Sequence, residues 1–231
     1  MKIIFRIFGF ILSIMLTHSC SKGNDSIKVS DSGIRDADGN VYTSVQIGTQ
    51  VWIKENLKTT KYKNGDLIGT TTPDTLNIST ESSPKYQWAY EGNEINVSIY
   101  GRLYTWYAIT DSRNICPAGW HVPTDAEWSA LNSFLGGEGV SGGKLKETGL
   151  SHWITPNSDA DNSSGFTAIP GGWRYYGGAS EYIGYFSYWW SSTEENGDNA
   201  WWQQVNYVNP NFSRNTMNKK YGLSVRCIKD N

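Results

Sequence analysis

The segment Cys116-Pro-Ala-Gly-Trp-His-Val-Pro-Thr-Asp-Ala-Glu-Trp128 decides the architecture, because it ends in a well-marked helix start. Thr124-Asp-Ala-Glu127 has the form of a capping box: the Thr124 hydroxyl accepts from the Glu127 amide, and the Glu127 carboxylate reaches back to the Thr124 amide. Trp128, Leu131 and Leu135 then mark one helical face, and Gly136-Gly137 stops the helix.

Upstream, Gly101 to Asp111 places Leu103, Trp106, Tyr107 and Thr110 at helical spacing, which predicts another helix. Earlier still, Val41, Thr43, Val45 and Ile47 alternate with Tyr42, Ser44 and Gln46. Gly48-Thr49 punctuates this run and Gln50-Val-Trp-Ile53 resumes it, so a hairpin is expected. Asp36-Ala-Asp-Gly-Asn40 is a turn cluster; within residues 59–100, Thr70 to Thr75 and Ser79 to Pro84 are loop chemistry, with a short strand near Gln87 to Tyr90. Downstream of Gly165, short aromatic segments separated by Gly, Asn and Pro predict strands joined by long loops, with Tyr221 to Ile228 as the closing strand. An early hairpin, two central helices and late strands make an α+β domain.

The amino terminus reads as an address. Lys2 and Arg6 open a segment whose apolar run, Ile7 to Leu16, is interrupted only by Gly9 and Ser13. That run is shorter than the roughly 20 residues needed to span a bilayer. Leu16-Thr-His-Ser-Cys20 resembles a bacterial lipobox, which implies cleavage before Cys20 and lipid attachment at its thiol. Residues 1–19 are then a lipoprotein signal peptide, 20–35 a polar tether and 36–231 one domain. The implied location is the outer membrane, through the lipid anchor, with the periplasmic and surface faces both open.

Composition narrows the function. The 231 residues include 11 Trp, 14 Tyr, 7 Phe and 24 Gly, against 3 His and 3 Cys. Charged residues make up 18%, below the roughly 25% of ordinary globular chains. These figures oppose a coiled coil or a disordered chain. A net charge of −2 gives no basic footprint for nucleic acid. So few His and Cys leave little material for a transition-metal centre, and no cofactor is expected. With Cys20 acylated, Cys116 and Cys227 remain. In an exported protein such a pair reads as a disulfide, two buried thiols being the alternative.

The opening segment is also one of seven ordered motifs. The others are Val51-Trp-Ile-Lys-Glu-Asn-Leu57, Tyr100-Gly-Arg-Leu-Tyr-Thr-Trp106, Gly143-Lys-Leu-Lys146, Gly165-Phe-Thr-Ala-Ile-Pro-Gly-Gly172, Tyr188-Trp-Trp-Ser-Ser-Thr-Glu194 and Tyr221-Gly-Leu-Ser-Val-Arg-Cys227. Together they resemble the Fibrobacter succinogenes major paralogous domain of Bacteroidota and Fibrobacteres surface and secreted proteins. The resemblance covers nearly all of residues 36–229. It implies a C-type-lectin-like fold, related to the formylglycine-generating enzymes: two helices, a twisted antiparallel sheet closed by both chain ends, and long irregular loops. In that fold Trp120, Trp128 and Leu131 are core, Pro117 and Pro123 set the loop entering the helix, and Cys116–Cys227 pins the closing strand to the helical layer.

Catalytic readings find little support. A formylglycine-generating oxidase needs a reactive cysteine pair, and a structural bridge leaves no thiolate. His121 and His152 stand alone, without the histidine cluster of a related iron enzyme, and no Gly-x-Ser-x-Gly elbow occurs. Asp36 to Asn40 lacks the spacing of a calcium loop and reads as a turn. Asp159 and Asp161 are a weak calcium candidate in a loop. Ser26 and Thr75 lie in short patterns resembling a Bacteroidota O-glycosylation signal. The aromatic excess remains. Trp173, Tyr175, Tyr176, Trp189, Trp190, Trp201 and Trp202 are the candidate binding residues, since adjacent pairs on a strand point to opposite sides and one member of each can stay exposed. The expected role is a non-catalytic module binding a glycan or an envelope protein, with a structural subunit of an envelope complex or an unrecognised enzyme as rivals.

Overall fold

The computed structural model describes residues 33–230. The expected signal segment, Cys20 as the expected lipid-attachment residue and the O-glycosylation candidate Ser26 lie outside the described residues. β1 (Ile34–Arg35) pairs with β2 (Val41–Tyr42), so regular structure starts inside the stretch read as tether. Between them the Asp36 carboxylate accepts from the amides of Asp38 and Asn40 and from the Tyr42 hydroxyl, confirming the turn. β3 (Ser44–Ile47) and β4 (Gln50–Ile53) form the expected hairpin.

β5 (Gln87–Trp88), α1 (Ile95–Tyr100), β6 (Leu103–Tyr104) and α2 (Trp106–Ile109) make up the middle of the chain. β7 (Trp120–His121), α3 (Asp125–Phe134) and α4 (Glu138–Leu145) follow. The chain ends in β8 (Gly171–Arg174), β9 (Ser180–Ile183), β10 (Phe186–Glu194), β11 (Asn199–Asn206), β12 (Ser213–Asn218) and β13 (Ile228–Lys229).

The class is α+β, with two corrections. Four α-helices stand among the described residues where two were expected. The Gly101–Asp111 segment begins as a strand, because Leu103 and Tyr104 pair with Trp88 and Gln87 and Tyr104 bonds Leu223; only Trp106–Ile109 coils. Helix α4 was hidden by its glycines. A Cβ at Gly142 would sit 2.2 Å from the Asn211 carbonyl oxygen, and one at Gly143 would sit 2.4 Å from that of Asp159. These glycines serve close approach, not a turn. By contrast α3 begins as expected, with both arms of the capping box formed at Thr124 and Glu127.

The strands form two main sheets. One is antiparallel with order β3-β4-β13-β7, so the early hairpin lies beside the last strand. The other has order β12-β11-β10-β8-β9 and is mixed, since β8 runs parallel to β10. The stretch from Tyr221 to Ile228 is not one strand. It bridges Arg174, Tyr104 and Trp189 in turn before β13 pairs with Trp52 and His121.

The mixed sheet is covered on both faces. Trp190, with Tyr188 and Trp202, belongs to one core cluster. Its chain neighbour Trp189 belongs to the other, with Trp52, Trp128 and Phe166. Trp52 and Trp128 have ring centroids 4.6 Å apart, and Phe166 meets Trp189 edge-on. The Cys116–Cys227 disulfide is present, with Cα atoms 6.0 Å apart, and ties the last segment to the loop between α2 and β7.

Loops of this length expose carbonyls that no ladder satisfies, and buried cations take them. Lys146, fully enclosed, donates to the carbonyls of Ser158, Asn206 and Asn209 at 2.7, 2.9 and 3.1 Å. Arg174 grips the carbonyls of Asp74 and Leu76, and Lys219 those of Asn196 and Gly197. Burial pulls the Lys146 ammonium down to about 8.

Candidate functional site

The aromatic candidates separate into three groups. Trp189 and Trp190 are each 0% exposed and Trp202 is 8% exposed. Alternation does send Trp189 and Trp190 to opposite faces, but both faces are covered, so these three are corrected to core residues. Their indoles are spoken for in two cases: Trp189 Nε1 donates to Asn56 at 2.9 Å and Trp190 Nε1 to the Tyr104 carbonyl at 2.7 Å. Trp201 is half-buried on the α3 side. The Arg214 guanidinium lies 3.2 Å from its ring centroid, held there by two bonds to Asp125.

The third group shares a surface. On β10, Phe186 and Tyr188 point away from Trp189. Trp173 of β8 stacks on Tyr188 at 4.7 Å and 25°. Tyr182 and Tyr221 meet the same indole edge-on at 5.2 and 5.4 Å. Tyr182 reaches it because its backbone lies at φ 69°, which overrides strand alternation. Tyr221 continues the ring contacts to Tyr175 and Tyr176, both at 5.3 Å. Trp173, Tyr175, Tyr176, Phe186 and Tyr221 are half-buried and Tyr182 is exposed. The result is a continuous aromatic face with rings fixed by one another.

Its polar groups are sparse and placed. Trp173 Nε1 donates to Glu181 at 3.3 Å. Burial pushes the Tyr221 phenol up to about 12, and a hydrogen bond with Tyr176 raises that of Tyr175. The Tyr175 and Tyr221 hydroxyls are therefore held neutral beside apolar rings at physiological pH. Phe186 and Tyr221 were not singled out from the sequence; Tyr182 belongs to the late aromatic run between Trp173 and Trp202 but was not one of the candidate binding residues. The signal for Phe186 was its period of two with Tyr188; Tyr182 and Tyr221 depend on backbone placement that no periodicity shows.

The histidines are differently employed. His121 Nδ1 lies 2.7 Å from Asp230 and Nε2 2.9 Å from Glu127, so both ring nitrogens are engaged. Burial lowers its pKa, but the bonds to Asp230 and Glu127 prevail and leave it raised. Glu127 is lowered: burial opposes this, and bonds from Thr124 and His121 outweigh it. A cavity of about 270 Å³ lined by Gln50, Glu127 and Asp230 lies beside this chain-end clamp. His152 bonds Glu147 at 2.8 Å.

At the weak calcium candidate, Asp161 accepts from the Ser163 amide, and no cluster of three metal-ligating side chains stands among the described residues. Thr75 is exposed in the loop whose carbonyls Arg174 grips.

The sequence model of the Fibrobacter succinogenes major domain matches residues 45–229. The chain belongs to the Fibrobacter succinogenes major domain family. No curated protein and no solved structure matches it.

The motifs that mark this chain as a Fibrobacter succinogenes major domain meet at one buried point. Asn56 Oδ1 accepts from Trp189 Nε1 and from Arg226 Nε, while its amide donates to the Tyr100 carbonyl and to Ser224 Oγ. Arg226 continues to the carbonyls of Phe166 and Thr167. Burial pulls the Arg226 guanidinium down, and it lies 4.3 Å from the Phe166 ring centroid. Five of the seven motifs touch this network, so in this Fibrobacter succinogenes major domain the motif residues build the frame. Of the motif residues only Tyr221 reaches the aromatic face, with the buried Tyr188 packed beneath it.

Proposed function

We propose that the protein is a lipid-anchored, non-catalytic binding module of the outer membrane, and that the aromatic face around Trp173 takes a glycan. The carrying observation is the ring network itself: Trp173 held between Tyr182, Tyr188 and Tyr221, with Glu181 beside its indole N–H. Rings already fixed by neighbours lose little freedom on binding, and neutral phenols with one carboxylate match a surface of hydroxyls and C–H groups. The lipobox-like Cys20 supports the anchor. The adjacency of the early hairpin and last strand supports a C-type-lectin-like arrangement. Both ring nitrogens of His121 face carboxylates, Asp230 and Glu127, an arrangement that holds a proton in a structural clamp and so supports binding over acid–base catalysis.

A second reading is an accessory subunit of an envelope complex. It draws on helix α1, which buries no residue and leaves Ile95 75% and Ile99 43% exposed.

Two experiments on the full chain decide between them. A glycan array should give signal that Trp173→Ala removes. Affinity purification from the native envelope should return no stoichiometric protein partner; a partner lost on Ile95→Asp would establish the subunit reading instead.

A further inference from the structure

Three cavities lie in a row from the domain's first turn to the aromatic hairpin. The first, of about 440 Å³, runs between Asp38, Lys58 and Ser98. The second, of about 230 Å³, holds Thr70, Thr71 and Gln87. Thr60, Glu94 and Arg102 line both. The third, of about 350 Å³, lies against Glu91 and the Gly178-Ala179-Ser180 turn, and shares Asp74 with the second. That turn joins β8 to β9, the strands that carry Trp173 and Tyr182.

The walls combine hydroxyls, amides and charged groups with apolar surface from Val97, Trp88 and Ala89. The partition between the first two cavities is Arg102, which donates to Gln87, Glu94 and the Lys58 carbonyl. The partition between the second and third is Asp74. Its carbonyl serves Arg174, whereas no donor among the described residues reaches its carboxylate. The carboxylate sits over Gly92, where a Cβ would come within 2.9 Å. The row's Asp38, Asp74, Glu91 and Glu94 are matched by Lys58 and Arg102 in its walls, by Lys61 on Asp38 and by Arg174 beside Asp74, so the furrow has no net charge to draw an anionic or a cationic polymer.

We propose that this row is an extended subsite for an uncharged, hydroxyl-rich chain, a neutral oligosaccharide, with Asp74 as its central acceptor. The proposal deepens the glycan reading and rests on it: the chain enters the furrow at one end and reaches the aromatic hairpin at the other. A shallow row of donors and acceptors supplies small increments per residue, so affinity grows with chain length.

The test is equilibrium titration of the full chain with cello-, manno-, xylo- and maltohexaose, with their disaccharides, and with hexagalacturonate. At least one neutral hexaose is expected to bind about tenfold or more tighter than its disaccharide, with hexagalacturonate weaker. Asp74→Ala, and Ala179→Trp in the exposed turn, should each weaken it by about tenfold, the loss of one good hydrogen bond or of the third cavity. Unchanged melting temperatures show that both variants fold. Equal affinity for disaccharide and hexaose, insensitivity to both variants, or preference for hexagalacturonate overturns the furrow. Loss on Trp173→Ala alone keeps the aromatic reading and removes this one. Loss on the furrow variants alone does the reverse, and no neutral glycan binding removes both.

Discussion

Arg226 donates from Nε to Asn56 Oδ1 at 2.8 Å, across 170 positions of sequence. The bond sits at the meeting point of strand β10, the last segment and the loop after β4. A buried guanidinium is costly unless every donor is placed, and here Asn56, Phe166 and Thr167 place them.

Removing Asn56 therefore strands two donors at once. Asn56→Ala should lower unfolding free energy by about 2–5 kcal/mol, because Trp189 Nε1 and Arg226 Nε both lose a buried acceptor. Urea denaturation followed by tryptophan fluorescence measures it. A loss below about 1 kcal/mol would show that water or another group replaces the amide.

The disulfide joins residues 111 positions apart. In the chain-entropy account a loop of about 100 residues contributes roughly 4.7 kcal/mol. Cys116→Ser with Cys227→Ser should cost about 4 kcal/mol and leave near-native spectra at low temperature. Identical denaturation curves for the oxidised and double-serine proteins contradict this.

His121 gives a pH signature. Its pKa is raised in the folded state by Asp230 and Glu127 despite burial, so the folded protein holds the proton more tightly than the unfolded chain. The stabilisation is complete below the unfolded value of about 6.5 and is lost as pH rises through the folded value. Wild type should lose stability as pH rises above the unfolded value of about 6.5, and His121→Gln should lose much less of it. Parallel pH profiles for the two proteins would remove His121 from the account.

Much of the frame was legible in the sequence. The capping box at Thr124 and Glu127 is a local exchange of two hydrogen bonds, so four residues sufficed to place it. The hairpin around Gly48 is equally local. Leu103 misled because its helical spacing lost to strand pairing with Trp88, while the adjacent Tyr104 bonds Leu223, a contact remote in sequence. Trp189 misled for the same reason: alternation tells which face a residue takes, not whether a second layer covers that face. Tyr182 joined the site only through a positive φ that strand patterning does not encode.

The division between core and surface tryptophans has its own test. Trp189→Ala should destabilise by about 3–5 kcal/mol, as large core truncations do. Trp173→Ala, at a half-buried position, should cost much less. Equal losses would place Trp173 in the core.

The most direct measurement is the dissociation constant of a bound neutral oligosaccharide for wild type and for Trp173→Ala, with folding of both confirmed by thermal melting. The aromatic-face account predicts at least about a tenfold weakening, roughly 1.4 kcal/mol, with little change in melting temperature. An unchanged dissociation constant in a folded Trp173→Ala protein contradicts it.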